Sequence, residues 1–215
     1  MKNVRQISLG AYASFETCRN TYDSVIDILN KNIEGDLIEC GVGAGSQIAL
    51  MKLALIRQKT DRKIWAYDSY QGIPYGIKDK DIVQAGIGDI ETNEKDGLLE
   101  STGIANHSLE NVKQTIIDSV ETIDNIEFIE GWFQDTINKH PNNTIALLRL
   151  DADLYESTKI CLEKLFPLVS EKGIVIIDDW NLYGCQLACN EYFEKIGYKP
   201  NYKLIALNNP VFFIK

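Results

Sequence analysis

The chain has 215 residues, 45% of them apolar, and a formal net charge of −9 at pH 7. This length and apolar content suit a single folded domain over residues 1–215. The acidic balance argues against binding to nucleic acid or to anionic membranes, because both need a basic surface. No apolar run approaches the roughly 20 residues that span a membrane, and residues 1–10 lack the apolar core of a signal peptide.

The cysteines favour a reducing compartment. Their number is five and they contain no C-x-x-C pair, so we expect reduced and mostly buried thiols. Together with the missing targeting signals, this predicts a cytoplasmic protein.

Apolar periodicity predicts helices alternating with strands along the chain. The predicted helices cover 14–30, 46–58, 108–118, 134–139, 156–169 and 184–196, with Ser46 capping the second. The predicted strands cover 36–40, 63–68, 126–130, 145–150, 174–177, 202–207 and 211–214. Such alternation predicts a mostly parallel, doubly wound α/β sheet. The last two strands are separated by only three residues, which predicts an antiparallel C-terminal hairpin. The resulting layout is similar to the Rossmann-like fold of class I methyltransferases.

Two segments fall outside this alternation. Residues 69–106 are rich in glycine and charge and too long for an ordinary connection, so we expect a lid with an acceptor pocket. Residues 1–35 are expected to form a helical cap, in which Tyr12, Phe15 and Glu16 are candidate contacts.

A glycine-rich turn follows the first strand and opens a helix. Gly41, Gly43 and Gly45 would let a ligand approach the backbone and the free N–H groups of the helix start. Asp68 ends the next strand, where an acidic residue can accept the hydroxyls of a ribose. A nicotinamide dinucleotide and S-adenosylmethionine both suit this pattern, and acidic Glu39 favours the cationic S-adenosylmethionine.

Two acidic clusters close two neighbouring apolar strands. Asp151 and Asp153 follow the strand at 145–150, and Asp178 and Asp179 follow the strand at 174–177. One helix-length segment lies between these strands, so both clusters should meet at the carboxyl edge of the sheet, where α/β folds bind ligands. A divalent cation held by oxygen ligands is the simplest way to balance these carboxylates.

The motifs resemble the macrocin O-methyltransferase family. The matching stretches are DLIECGVGAG at 36–45, YDSYQGIP at 67–74, GWFQDT at 131–136, LRLDADLYEST at 148–158, DDW at 178–180 with Gly184 and Cys185, and VFFIK at 211–215. The resemblance implies a homodimeric enzyme that transfers a methyl group from S-adenosylmethionine to a sugar hydroxyl and that requires Mg²⁺.

The resemblance also implies roles for individual residues. Asp151, Asp178 and Asp179 would bind the metal. The cofactor would be lined by Glu39, Gly41, Asp68, Ser69, Gly131 and Trp132. Gly43 joins this set through the glycine-rich turn, while Trp132 is equally compatible with a core position.

In the expected mechanism, the metal lowers the pKa of an acceptor hydroxyl and a carboxylate takes its proton. We expect Asp151 to be this base, with Asp153 as the alternative; Asp153 could instead support the ligands or pair with Arg149. His107 is a weaker candidate for the base and more typical of a surface residue. A catechol-type O-methyltransferase, a nicotinamide-dependent oxidoreductase and a cofactor-binding scaffold without chemistry are the competing hypotheses.

Overall fold

The computed structural model describes residues 1–81, 97–206 and 210–215. Within them, seven strands form one sheet in the order β3-β2-β1-β4-β5-β7-β6. The strands are β1 (Asp36–Cys40), β2 (Ile64–Asp68), β3 (Ile126–Glu130), β4 (Ile145–Leu150), β5 (Val169–Ile177), β6 (Lys203–Leu204) and β7 (Val211–Ile214). Strands β1 to β5 are parallel, whereas β7 runs antiparallel to both β5 and β6. The predicted sheet with its antiparallel C-terminal hairpin is confirmed.

Helices cover both faces of the sheet. They are α1 (Val4–Ser8), α2 (Phe15–Asn30), α3 (Ser46–Arg57), α4 (Leu109–Val120), α5 (Phe133–Thr136), α6 (Tyr155–Leu165) and α7 (Tyr183–Lys195), with 3₁₀ turns at Ile137–Lys139 and Phe166–Leu168. Leu147 packs into the core with α2 to α4 and Leu148 into the core with α6 and α7, because successive strand residues point to opposite faces. Within the described ranges, no helix has the length and apolarity to cross a membrane.

Several predicted boundaries differ from the observed ones. The helix predicted at 156–169 ends at Leu165, and β5 begins five residues before the predicted strand at 174–177. Pro167 lies in the intervening 3₁₀ turn, where its missing N–H cannot extend a helix. Gly45, not Ser46, caps α3, with a φ of 90° that favours glycine. The predicted hairpin turn falls partly on residues 207–209, outside the described residues.

The two segments that were expected to form a cap and a lid, residues 1–35 and 69–106, lie in different parts of the fold. Helix α2 belongs to the core, with Cys18, Val25 and Ile28 fully buried, so the role of residues 1–35 as a cap rests on the residues before it. Residues 69–81 and 97–106 of the predicted lid are described, and 82–96 lie outside the described residues. All five cysteines are buried free thiols.

Backbone hydrogen bonds continue the sheet register past the strand ends. The N–H groups of Gly41, Asp151, Asp178 and Gly131 donate to the carbonyls of the neighbouring strand ends at 2.8–3.0 Å. The residues that follow β1, β3, β4 and β5 are therefore held beside one another at the carboxyl edge of the sheet, where a parallel α/β fold forms its binding crevice.

Candidate active site

A cleft runs along this carboxyl edge of the sheet, which is where α/β folds bind their ligands. Its lining includes eight residues chosen from the sequence: Tyr12, Gly41, Gly43, Asp68, Ser69, Trp132, Asp151 and Asp153. The structure adds Gly72, Ile73, Pro74, Ala105, Phe133, Gln134, Ala152 and Ser157. The cleft is thus built from the glycine-rich turn, the start of α5, the acidic loop after β4 and both described arms of the 69–106 segment.

Asp68 holds the glycine-rich turn in place. One of its carboxylate oxygens accepts from the amides of Val42 at 2.7 Å and Gly43 at 3.2 Å, and the other accepts from Tyr70 at 2.6 Å. Burial raises the pKa of Asp68, while these three amides oppose the rise. The carboxylate is therefore fixed at the end of β2, and of its roughly four lone-pair sites one is not taken by these amides and remains for a ribose hydroxyl.

This arrangement disfavours a dinucleotide. In nucleotide-binding α/β folds, the free N–H groups of the glycine-rich turn bind the pyrophosphate. Here two of those groups, on Val42 and Gly43, already donate to the carboxylate of Asp68. A pyrophosphate would meet a negative charge where it needs donors.

Gly41 allows the turn to touch the acidic loop. A Cβ at this position would lie 1.7 Å from the backbone oxygen of Asp151, well inside any tolerable contact. Gly43 has open space where its Cβ would lie, so the turn leaves room for a ligand at that point. Glycine is required at position 41, where the contact is close and φ is 89°, whereas the φ of 51° at Gly43 is one that several other residue types adopt in this chain.

Trp132 begins α5 and lies half-buried on the cleft wall. The sequence left open whether it belongs to the core or to the site, and its position agrees with a site residue. Gly131 before it takes a φ of 133°, which turns the chain out of β3 toward the cleft.

Arg149 connects Glu39 near the end of β1 with the acidic residues that follow β4 and β5. Its Nη1 donates to Glu39 and to Asp151, each at 2.7 Å, and its Nη2 donates to Asp178. Arg149 is fully buried, as is Glu39. The strand register explains the cluster: Glu39 and Arg149 are paired neighbours on β1 and β4, and residues two apart on a strand share a face.

The charges in this cluster depend on one another. Burial alone would lower the pKa of Arg149, but Asp178, Asp151 and Glu39 raise it well above its usual value. Burial raises the pKa of Glu39 to about 8, and Arg149 opposes that rise. Because the guanidinium of Arg149 stays charged and lies within hydrogen-bond distance of the Glu39 carboxylate, Glu39 is its ion-pair partner.

Three carboxylates form a compact group next to this cluster. Oxygens of Asp151, Asp153 and Asp179 lie within 4.8 Å of one another, and the amide of Asp153 donates to Asp179 at 2.9 Å. Burial and the neighbouring carboxylates raise the pKa of Asp153 to about 8 and that of Asp179 well above its usual value. Burial also raises the pKa of Asp178, to about 6, against the opposing effect of Arg149.

The residues present fit both groups that the sequence suggests. Carboxylate oxygens that repel one another form the ligand set of a hard divalent cation. Asp178, one of the three ligands expected from the sequence, binds Arg149 instead, and the compact group contains Asp153 in its place. No described residue donates to the buried Oε2 of Glu39, and an orphaned carboxylate oxygen suits a cationic partner such as the ammonium of S-adenosylmethionine. Glu39 is fully buried, however, and does not itself line the cleft in this structure.

The three candidate contacts near the N-terminus do not all lie at the cleft. Tyr12 lines the cleft and its hydroxyl lies 2.9 Å from Nε2 of His107. That contact places both residues at the mouth of the cleft, since the Tyr12 side chain is largely exposed. Phe15 is 43% exposed and Glu16 is exposed, and neither lines the cleft.

The role of Arg149 was not predicted from the sequence. It was expected only as a partner of Asp153, whereas in the structure it binds Glu39, Asp151 and Asp178. A signal was present: an arginine interrupts an apolar strand, and such a residue is buried only when it is paired. Acidic residues near the ends of the two neighbouring strands were the available partners.

Comparisons with known proteins agree with this geometry. The family model of macrocin O-methyltransferases matches residues 15–213. The chain is 35% identical over 178 residues to demethyldecarbamoylnovobiocin O-methyltransferase of Streptomyces niveus, which covers 82% of the chain and 64% of that protein. It is 33% identical over 171 residues to 8-demethyl-8-(2,3-dimethoxy-alpha-L-rhamnosyl)-tetracenomycin-C 4'-O-methyltransferase of Streptomyces olivaceus, which covers 79% of the chain and 62% of that protein.

The fold comparison gives the same result. The solved structure of the O-methyltransferase NovP superposes with a TM-score of 0.80 and 31% identity, over 94% of this chain and 80% of NovP. The chain spans less than two thirds of the length of the two Streptomyces relatives. The family match nevertheless extends over nearly the whole chain, and the chain belongs to the macrocin O-methyltransferase family.

Proposed function

We propose that this protein is an O-methyltransferase that uses S-adenosylmethionine and a divalent cation, with Mg²⁺ as the expected ion, to methylate a sugar hydroxyl of a glycosylated small molecule. The observation that carries the proposal is one cleft in which the glycine-rich turn and Asp68 adjoin Asp151 and Asp153, with the buried carboxyl groups of Glu39 and Asp179 next to them. The S. olivaceus relative is named for a methyl transfer to a rhamnosyl group, which supports a sugar as the acceptor.

The donor half of the site would bind the cofactor through complementary charge. Asp68 is positioned to accept the ribose hydroxyls, and the unpaired oxygen of Glu39 offers a partner for the ammonium group. Ser69, Gly131 and Trp132 remain the residues expected around the adenine. When bound, S-adenosylmethionine supplies an electrophilic methyl group, and the residues of the cleft align the acceptor oxygen behind it.

The acceptor half would hold the cation and remove a proton. Asp151, Asp178 and Asp179 remain the proposed cation ligands, although Asp178 binds Arg149 in this structure, and a cation held there would lower the pKa of an acceptor hydroxyl. Arg149 already takes up one oxygen of Asp151, whereas Asp153 lines the cleft and is not among the partners of Arg149. We therefore favour Asp153 as the base over Asp151, the residue preferred from the sequence.

The remaining expectations from the sequence are also part of this proposal. We expect one catalytic domain over residues 1–215, a cytoplasmic location and a homodimer. A sedimentation or light-scattering measurement of the purified protein determines the oligomeric state directly.

Methyl transfer from labelled S-adenosylmethionine tests the function. We expect label to enter O-glycosides with a free vicinal diol, such as rhamnosides, and to be lost in EDTA because the acidic cluster can no longer hold a cation. A parallel panel of catechols separates the aromatic alternative. Full turnover in EDTA would contradict the role of the metal, and methylation of catechols alone would contradict the sugar acceptor.

A further inference from the structure

The described arms of the 69–106 segment form one unit. Backbone hydrogen bonds join Ile73 to Ile104 and to Thr102, at 3.0 and 2.9 Å, and Gly97 to Gly76 at 3.0 Å. Ile73, Pro74 and Ala105 of these arms line the cleft. The position of the paired arms therefore sets the shape of one cleft wall.

One buried carboxylate fastens these arms to the rest of the protein. Asp81 is 3% exposed. Its Oδ2 accepts from the amide of Ile77 at 2.8 Å, within its own turn, and its Oδ1 accepts from the amide of Tyr155 at 2.8 Å. Helix α6 has no side-chain hydrogen bond from its own N-cap residue. Asp81 supplies from a distant segment an acceptor for the first amide of the helix, at the end where a carboxylate is favoured.

The opposite side of this carboxylate is closed by α7. A Cβ at Gly184 would lie 2.0 Å from Oδ1 of Asp81 and 3.1 Å from the amide of Tyr155. Only a residue without a side chain lets α7 approach so closely. Next to this contact, Nζ of Lys80 lies 3.5 Å from the centroid of the Tyr155 ring.

We propose that Asp81 is a positioning residue that docks the paired arms onto the start of α6, and that Gly184 is glycine in order to admit its carboxylate. This proposal rests on the proposed function, because the wall that Asp81 fixes is assigned to the acceptor. Tyr155 follows directly after the acidic loop that carries Asp151 and Asp153. The docking therefore sets the arms at a fixed distance from the groups that act on the acceptor hydroxyl.

Variants on the two sides of the contact test the proposal. Asp81→Ala removes the acceptor, Asp81→Asn keeps its shape without its charge, and Gly184→Ala pushes the carboxylate away. We expect each to raise the acceptor KM about tenfold, the scale of a lost helix cap. The Kd for S-adenosylhomocysteine should change much less, because Glu39, Asp68 and Trp132 are untouched. Asp79→Ala, at an exposed carboxylate in the same turn, is the matched control.

Hydrogen exchange gives a readout that does not depend on activity. We expect faster exchange of the Ile77 and Tyr155 amides and of peptides in 69–81 and 97–106 for the Asp81 and Gly184 variants. In the double variant Asp81→Ala/Gly184→Ala, the Gly184 change should add much less than it does alone, since the clashing oxygen is gone and only the 3.1 Å approach to the Tyr155 amide remains.

Additive effects of the two changes, or unchanged exchange and KM in folded Asp81→Asn, would overturn the docking role. If the wild type neither binds S-adenosylhomocysteine nor turns over, the proposed function fails instead. The exchange measurement would still decide whether Asp81 holds the arms.

Discussion

Replacing Arg149 with methionine is expected to lower the free energy of unfolding by about 3–5 kcal/mol, the cost of breaking a buried ion pair from one side. The guanidinium is the shared partner of Glu39, Asp151 and Asp178. Without it, a fully buried Glu39 faces two further carboxylates across the strands. Urea unfolding monitored by circular dichroism measures the change.

Two further variants sharpen this test. Arg149→Lys keeps the charge but cannot present the planar fork that reaches several partners at once, so we expect an intermediate loss. Arg19→Met removes an arginine from an exposed ion pair with Asp23 and should leave the unfolding midpoint almost unchanged. An Arg149→Met protein as stable as the wild type would show that the cluster does not need its cation.

Asp153→Asn is expected to reduce kcat by about 10²–10⁴-fold, the usual contribution of a general base. The substitution keeps the shape of the side chain and the backbone hydrogen bond to Asp179, so binding of S-adenosylhomocysteine should not change. Steady-state turnover and calorimetric titration of the same preparation separate the two effects.

The control for this variant is Asp135→Asn, at an exposed carboxylate on α5, which should keep full activity. Turnover of Asp153→Asn close to that of the wild type would return the role of base to Asp151. A loss of cofactor affinity equal to the loss of turnover would instead indicate a structural role for Asp153.

The sequence predicted the sheet well because its strands are strongly patterned. The run at 145–150 is fully buried, and a parallel strand covered on both faces requires such an apolar run. The same pattern placed Asp68, Asp151 and Asp178 at strand ends, so their meeting at one edge followed from topology. The elements predicted least accurately were those without apolar periodicity, such as the short strand β6 (Lys203–Leu204).

The contacts inside the site were harder to predict because they depend on pairs that are distant in the chain. Glu39 and Arg149 are 110 residues apart and meet only through the register of β1 and β4. Asp81 and Tyr155 are 74 residues apart, and nothing local in the 69–106 segment indicates a carboxylate that caps α6. In the sequence, Gly184 could be recognised only as part of a family motif. The structure gives the steric reason why this residue is glycine.

Charge links these features to function. Arg149 pairs with Asp151 and Asp178 just after the ends of β4 and β5, and the compact group of Asp151, Asp153 and Asp179 places two further carboxyl groups, which Arg149 does not bind, beside the cleft. The glycine-rich turn brings its backbone against the same loop through Gly41. The donor and acceptor halves are therefore neighbours, as an in-line transfer between two bound molecules requires.

The measurement that tests the central claim most directly is a calorimetric titration of S-adenosylhomocysteine into the purified protein, with Mg²⁺ and then with EDTA, beside a titration of NAD⁺. We expect micromolar binding of S-adenosylhomocysteine under both conditions and no binding of NAD⁺, because Asp68 occupies the amides that a pyrophosphate would need. Binding of NAD⁺ without binding of S-adenosylhomocysteine would contradict the methyl-donor site.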